Sequence, residues 1–364
     1  MNGNHVPQHG GNLYAAMRQA GSSCQELLDF SANINPLGLS ESIRQSLSAS
    51  LESIIHYPDA QAYALTQEIS QYYHVNAKGI TIGNGAVELM YILCHMLKPT
   101  KILVTAPTFS EYESAAKASG ASIEYLQLNE ADNFAIDIDK LASSLALVDI
   151  VFLCNPNNPT GTLLSSADIE KLLIAGQAHH TYVVVDESFI DFLTKDDVYT
   201  CRPMLERYPN LIILHSLTKF YAIPGLRLGF SLASEEVTKN LHLGKDPWNV
   251  NTLAQNAGVV ALRDHVYQQK SKEYIKTANQ DLYDSLQKIP GLKPYLPSVN
   301  FILINIKDTK MTSLQLRQAM ASYHILIRDC SNYPGLSSDY IRIAVKTQAQ
   351  NTLLLTTLRK IIGE

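Results

Sequence analysis

The sequence predicts an α/β protein: a large domain on a mostly parallel, helix-covered sheet, with a smaller α+β domain beside it. Three observations carry that expectation. Apolar, β-branched runs (Ile80-Thr-Ile-Gly83, Ile102-Leu-Val-Thr105, Asp149-Ile-Val-Phe-Leu-Cys154, Tyr182-Val-Val-Val-Asp186, Leu211-Ile-Ile-Leu214) alternate with helix-compatible stretches from about residue 60 to 235, the pattern of a parallel sheet covered on both faces. Polar–apolar helical stretches then cover roughly 251–288, followed by strand-like runs at Phe301-Ile-Leu-Ile304, Ile325-Leu-Ile327 and Tyr340-Ile-Arg-Ile-Ala344. Finally, 364 residues exceed one small core. We expect residues 46–260 to form the large domain, and 1–45 with 261–364 the small domain and its N-terminal arm.

Composition sets bounds. Hydrophobic residues make up 46% and charged residues 17% of the chain, and the net charge is −5 with no long basic cluster, which argues against a nucleic-acid surface. The opening Met-Asn-Gly-Asn-His-Val-Pro-Gln has neither a basic nor an apolar leader region, and no apolar run reaches about 18 residues, so a soluble cytoplasmic protein is expected. The five cysteines (24, 94, 154, 201 and 330) are far apart and lack a Cys-x-x-Cys pair, favouring reduced thiols over disulfides or zinc. No His-Glu-x-x-His helix is present, and we expect no metal.

Chemistry-bearing segments follow one another along the chain. Gly83-Asn84-Gly85-Ala86-Val87-Glu88 precedes the apolar-periodic Leu89–Leu97. Glycines ahead of a helix expose N–H groups, and the helix dipole favours an anion there. The third glycine of a dinucleotide fingerprint is missing, so a phosphate cradle fits and a Rossmann site does not. Next, Phe109 follows a strand end and offers an aromatic face for a planar ring, or simply core packing. Asn155-Pro-Asn-Asn158-Pro-Thr-Gly161 makes a sharp turn whose Asn amides can donate to a phenolate oxygen; a plain strand-to-helix turn is the alternative. Asp186 ends an apolar strand, where a buried carboxylate needs a partner: a protonated pyridine nitrogen, a helix end or an ion pair. Finally Ser216-Leu-Thr-Lys219-Phe-Tyr-Ala-Ile-Pro-Gly-Leu-Arg227 places a hydroxyl, an amine and a guanidinium after another strand. Lys forms Schiff bases with aldehydes and Arg is a fork-shaped phosphate partner, and pyridoxal 5′-phosphate (PLP) needs both.

In this order the segments resemble the fold-type I PLP enzymes, the aspartate aminotransferase superfamily, over nearly the whole chain. The resemblance implies PLP as cofactor, with Lys219 carrying it and Asp186 pairing the pyridinium. It also implies Asn158 on the phenolate oxygen, Phe109 stacking on the ring, and Gly85, Ala86, Ser216 and Arg227 on the phosphate. In the family a tyrosine of the neighbouring subunit also reaches that phosphate. Tyr57, in His56-Tyr57-Pro58-Asp59, matches it and implies a homodimer with shared active sites.

Two departures are visible: the family's usual Asp-Glu-Ala-Tyr stands here as Asp186-Glu-Ser188-Phe189, so Phe189 cannot donate to the phenolate oxygen and Ser188 puts a hydroxyl under the ring where a methyl is common. Within the superfamily, His9-Gly10-Gly11-Asn12, Leu28-Asp-Phe-Ser-Ala-Asn33-Ile-Asn-Pro-Leu-Gly38 and Ile327-Arg328-Asp-Cys-Ser-Asn-Tyr333-Pro-Gly335 are similar to the branch that decarboxylates L-threonine O-3-phosphate. That reaction gives (R)-1-amino-2-propanol O-2-phosphate for cobalamin biosynthesis. The alternative branch transaminates histidinol phosphate or a related phosphorylated amine. Both carry two C-terminal arginines, matched by Arg328 and Arg342. His9, Asn12, Asn33, Arg328 and Arg342 are therefore the expected substrate-binding residues.

Overall fold

The computed structural model describes residues 9–20 and 27–363; the opening segment and Cys24 lie outside them. The arm contributes β1 (Leu28–Asp29). The large sheet then takes β2 (Ile80–Gly83), β3 (Lys101–Ala106), β4 (Ser122–Gln127), β5 (Ile150–Cys154), β6 (Tyr182–Asp186), β7 (Leu211–Ser216) and β8 (Gly229–Leu232). Beyond it come β9 (Lys293–Pro294), β10 (Phe301–Asn305), β11 (Ile325–Leu326), β12 (Arg328–Asp329) and β13 (Tyr340–Ala344).

The large sheet has the order β2-β8-β7-β6-β5-β3-β4. Its pairings are parallel except those of β8, which runs antiparallel to both β2 and β7. β5 and β7 are buried at every residue, as expected of strands covered on both faces. The chain passes from β3 outward to the edge strand β4, then returns to the other side of β3 to form β5. That reversal opens a crevice at the C-terminal ends of β3 and β5, where open α/β sheets place ligands. The two strand ends are tied: Thr108 Oγ1 donates to Asn157 Oδ1 at 2.7 Å, and Asn157 Nδ2 donates to the Pro107 carbonyl at 3.0 Å.

The second sheet has the order β12-β13-β10-β9, all antiparallel. The expected strand over 325–327 ends at Leu326, and a separate short strand follows it. Ile325 and Leu326 pair in parallel with β1 of the arm, whereas Arg328 and Asp329 turn to β13. The helical stretch of 251–288 is also two elements, Thr252–Arg263 and His265–Leu286. Asp264 separates them, its carboxylate accepting from the Tyr267 N–H at 3.0 Å and so capping the second helix.

The arm is threaded through the molecule. The Asn35 N–H donates to the Lys219 carbonyl, Asn35 Nδ2 to the Phe220 carbonyl, and the Ala344 N–H to the Phe30 carbonyl. Cys94, Cys154, Cys201 and Cys330 are buried free thiols. Among the described residues no helix is long and apolar enough to cross a membrane, and no cluster of His, Cys, Asp and Glu could hold a metal ion.

Gly229 lies where β8 meets the start of the helix Ala86–Leu97. A Cβ there would stand 2.5 Å from the Ala86 nitrogen and 2.7 Å from the His215 carbonyl oxygen, both rigid backbone. Gly229→Ala is expected to cost about 1–3 kcal/mol, the range for overpacking. The urea midpoint should fall at unchanged slope; an unmoved midpoint would contradict this packing.

Candidate active site

The C-terminal ends of the large sheet, the arm and the second sheet enclose a cavity of about 430 Å³. Lys219 lines it, three residues after the buried Ser216. Burial holds the Lys219 amine below the ordinary lysine range; the charge of Asp186 opposes that shift and Arg227 adds to it. The Lys219 Nζ sits 5.4 Å from the centroid of Phe189, whose edge packs on Phe301.

Asp186 is buried on the same wall. Its Oδ2 accepts from the Tyr112 hydroxyl at 2.8 Å and its Oδ1 from the Ser188 N–H at 2.9 Å. Tyr112 itself stacks on Phe152 at 5.0 Å and stands edge-on to Phe109, also a cavity residue. Tyr112 was not among the residues expected from the sequence; its spacing of three from Phe109 at a helix start was the one available signal. Asn158 lines the cavity with its Oδ1 taken by the Arg342 guanidinium, which leaves the amide N–H groups as its contribution. The Ser188 Oγ and the Asn33 Oδ1 are buried with no hydrogen-bond partner among the described residues, and both residues line the cavity.

At one end lies the glycine cradle. Gly85 caps the helix Ala86–Leu97 at φ +85°, and a Cβ on it would strike the Arg227 Nη2 at 2.4 Å. Glycine thus lets the guanidinium lie against the backbone where the helix dipole is positive. Ala86, Ser216, Thr218 and Arg227 line this end, and the Ser216 and Thr218 hydroxyls are 2.8 Å apart. Gly85 touches the cavity through Arg227 rather than directly.

The opposite end belongs to the arm and the second sheet. Arg342 is buried, its Nη1 directed to Asn158 and to the Tyr333 hydroxyl (3.4 Å), its Nη2 to the Ser31 carbonyl (2.8 Å). Arg328 is its register partner on β12 and sits over the Tyr333 ring at 5.2 Å, donating to Asn332 Oδ1. Arg328 therefore borders the cavity through Tyr333, which lines it. Ser31 is held in turn by Asp29, and its Oγ accepts from the Gly11 N–H. His9 lines the rim, with its Nε2 2.7 Å from Glu111 Oε1 and its ring 5.8 Å from Phe109. Asn12 stands apart: its Oδ1 accepts from the Ala15 N–H at the start of the helix Leu13–Ala20. Tyr57 is exposed and stacked on Trp248 at 4.6 Å, outside the cavity of its own chain.

Residues 25–358 match the family described as aminotransferase class I and II. The chain belongs to that family. As a class I and II aminotransferase-family chain it is 37% identical to the threonine-phosphate decarboxylase of Salmonella typhimurium, over 97% of this chain and 96% of that protein. It superposes on the histidinol-phosphate aminotransferase of Clostridium acetobutylicum with a TM-score of 0.87 at 31% identity, covering 92% of this chain and 99% of that one. On the L-threonine-O-3-phosphate decarboxylase of Porphyromonas gingivalis the TM-score is 0.82 at 28% identity, covering 93% and 100%. The fold is that of the fold-type I aminotransferases, a mixed α/β structure on a large, mostly parallel sheet.

Glu111, another residue the sequence did not single out, gives this family member a titratable latch on its arm. Its carboxyl is held below the usual range chiefly by the hydrogen bond with His9. A depressed carboxyl stabilises the contact above the ordinary carboxylate pKa, and the contribution is lost as pH falls through the lowered value. His9→Ala should return the Glu111 titration towards the ordinary range in a carbon-detected NMR pH series; an unmoved titration would refute the contact.

Proposed function

We propose that this chain is a PLP-dependent decarboxylase acting on L-threonine O-3-phosphate. The cavity fits the cofactor. It offers an amine with lowered proton affinity (Lys219), a buried carboxylate (Asp186) and an aromatic face (Phe109). It also offers a helix N-terminus at which Gly85 takes φ +85° and the Arg227 guanidinium lies where a Cβ would stand. Full-length similarity to the Salmonella typhimurium threonine-phosphate decarboxylase, 37% over 97% of the chain, carries the choice of reaction.

When bound, PLP supplies an electron sink for the pair left at the substrate Cα as a bond there breaks. Lys219 would hold the cofactor covalently and, once released, deliver a proton to Cα. Asp186, oriented by Tyr112 and the Ser188 N–H, would keep the ring nitrogen protonated. Asn158, its carbonyl occupied by Arg342, would offer its N–H groups to the phenolate oxygen, where Phe189 has nothing to donate. The Ala86 N–H, Ser216, Arg227 and the partner subunit's Tyr57 would anchor the cofactor phosphate. His9, Asn33 and Arg342 would meet the substrate, with Arg328 acting behind Tyr333. A dianionic phosphate facing arginine forks forms several charge-assisted hydrogen bonds, a handle that would hold the substrate without clamping the carboxylate that is lost as CO2. The division at residues 46 and 260 into cofactor-holding and substrate-holding parts belongs to the same reading.

One observation favours a second reading, transamination of histidinol phosphate: the overlay on the Clostridium acetobutylicum enzyme. The two are separated by assay. Purified protein with PLP should release CO2 from L-threonine O-3-phosphate without 2-oxoglutarate and turn over threonine poorly. Arg342→Ala should lower kcat/KM by about 30-fold or more, the equivalent of about 2 kcal/mol of lost charge-assisted hydrogen bonding. Keto-acid formation from histidinol phosphate plus 2-oxoglutarate, with no CO2 from phosphothreonine, would establish the aminotransferase instead.

The same reading includes a homodimer. Ile54 and Ile55 are exposed close in sequence to the exposed Tyr57, which stacks on Trp248, and exposed apolar side chains of this kind suit a partner. Mixing Lys219→Ala chains with Tyr57→Phe chains should yield dimers with one fully native site and rescued activity. An active monomer in sedimentation would contradict this.

A further inference from the structure

Glu130 lies outside the cavity, in the short helical turn Glu130–Asp132 after the edge strand β4. Its carboxylate gathers four donors from the second sheet. Oε1 accepts from Lys293 Nζ (2.9 Å), the Tyr295 hydroxyl (2.6 Å) and Asn305 Nδ2 (3.1 Å), and Oε2 from the Tyr340 hydroxyl (2.7 Å). Lys293, Asn305 and Tyr340 are register partners across β9, β10 and β13. One side chain of the large-sheet unit therefore grips a complete rung of three strands.

Beneath the carboxylate is an apolar cluster of the same two-sided make-up. Leu128 and Phe134 from the loop after β4 pack with Tyr295, Leu303, Tyr333 and Tyr340. Phe134 meets the rings of Tyr295 and Tyr340 at 5.2 and 6.0 Å. Tyr340 and Arg342 are two residues apart on β13, so both project from one face of the sheet. The rung next along that face pairs Arg342 with Leu303 of the cluster.

We propose that Glu130 is a positioning residue for Arg342. By fixing Tyr340 and its rung against the large-sheet loop, it sets the distance at which the Arg342 guanidinium meets Asn158 and the substrate. This rests on the reading of Arg342 as a substrate-binding residue. The chemistry suits a carboxylate: ionised, it is acceptor-only on both oxygens facing four donors, whereas an amide would turn an N–H₂ towards one of them. Donation by Tyr295 is the largest cause holding the carboxyl down, to about 2. The clasp is thus charged above the ordinary carboxylate pKa and is lost only as pH falls through that low value.

The test is a double-mutant cycle on the PLP-loaded enzyme, read on whichever phosphorylated substrate the wild type turns over. Glu130→Gln should raise KM roughly tenfold and leave kcat within about twofold. The absorbance spectrum of the bound cofactor should be unchanged, since Lys219 and Asp186 are untouched. In an Arg342→Ala background the same substitution should change KM by less than about twofold, because the group it positions is gone. Tyr340→Phe, which removes one donor, should move KM in the same direction by a smaller factor and carries the cycle if Glu130→Gln does not fold. Unchanged KM in both variants, or an equal factor with and without Arg342, would overturn the proposal. Unchanged KM in Arg342→Ala alone would overturn the substrate role of Arg342, and the proposal with it.

Discussion

The buried guanidinium of Arg342 is the point on which the site depends. Taking a cation out of water costs several kcal/mol unless its donors are met, and here the described residues that accept from it are neutral: an amide oxygen, a phenol and a backbone carbonyl. Each comes from a different part of the chain. Asn158 belongs to the turn after β5, Tyr333 to the loop after β12, and Ser31 to the arm. Among the described residues Arg342 forms no ion pair, and its Nε has no hydrogen-bond partner. A charge held this way keeps its attraction for an anion, and the three segments that solvate it are ordered by doing so. The arm has to be threaded before the site exists.

Much of this was readable from residue types. Strands buried on both faces write themselves as unbroken β-branched runs, so β5, β6 and β7 and the side chains at their ends were visible: Asp186, Ser216 and Lys219 do meet in one cavity with Phe109 and Asn158. What escaped depends on register and on neighbours distant in sequence. Nothing local says that Arg328 and Arg342 stand opposite each other across two strands, or that the Tyr112 hydroxyl lies on Asp186. The division of 325–329 between two sheets reflects competition by the arm for Ile325 and Leu326. Asn12 is an Asn ahead of a helix, and its capping bond is local physics of the kind that suits that residue.

Phe189 shows how a substitution within a motif redistributes chemistry. The ring buries apolar area between Phe301 and Phe192 and turns its face to the Lys219 ammonium. It stabilises charge on the amine weakly, through the ring quadrupole, where a phenol would have offered a hydroxyl. The polar group nearest in sequence is the Ser188 hydroxyl, which is buried on the cavity wall with no hydrogen-bond partner among the described residues.

The edge strand β4 was missed because it does not look buried, and it is not: Ser122, Glu124, Tyr125 and Gln127 are exposed, with Glu124 paired to Lys101 of β3 at 3.2 Å. A sheet of this size ends in a row of unpaired backbone groups that would accept a strand from any neighbouring molecule. The exposed polar side chains of that strand, Ser122, Glu124 and Gln127, make such stacking unfavourable, since a second copy would have to desolvate them. The polarity that hides β4 from a hydrophobic pattern therefore bears on colloidal behaviour: it disfavours pairing of this edge with a second copy of the sheet.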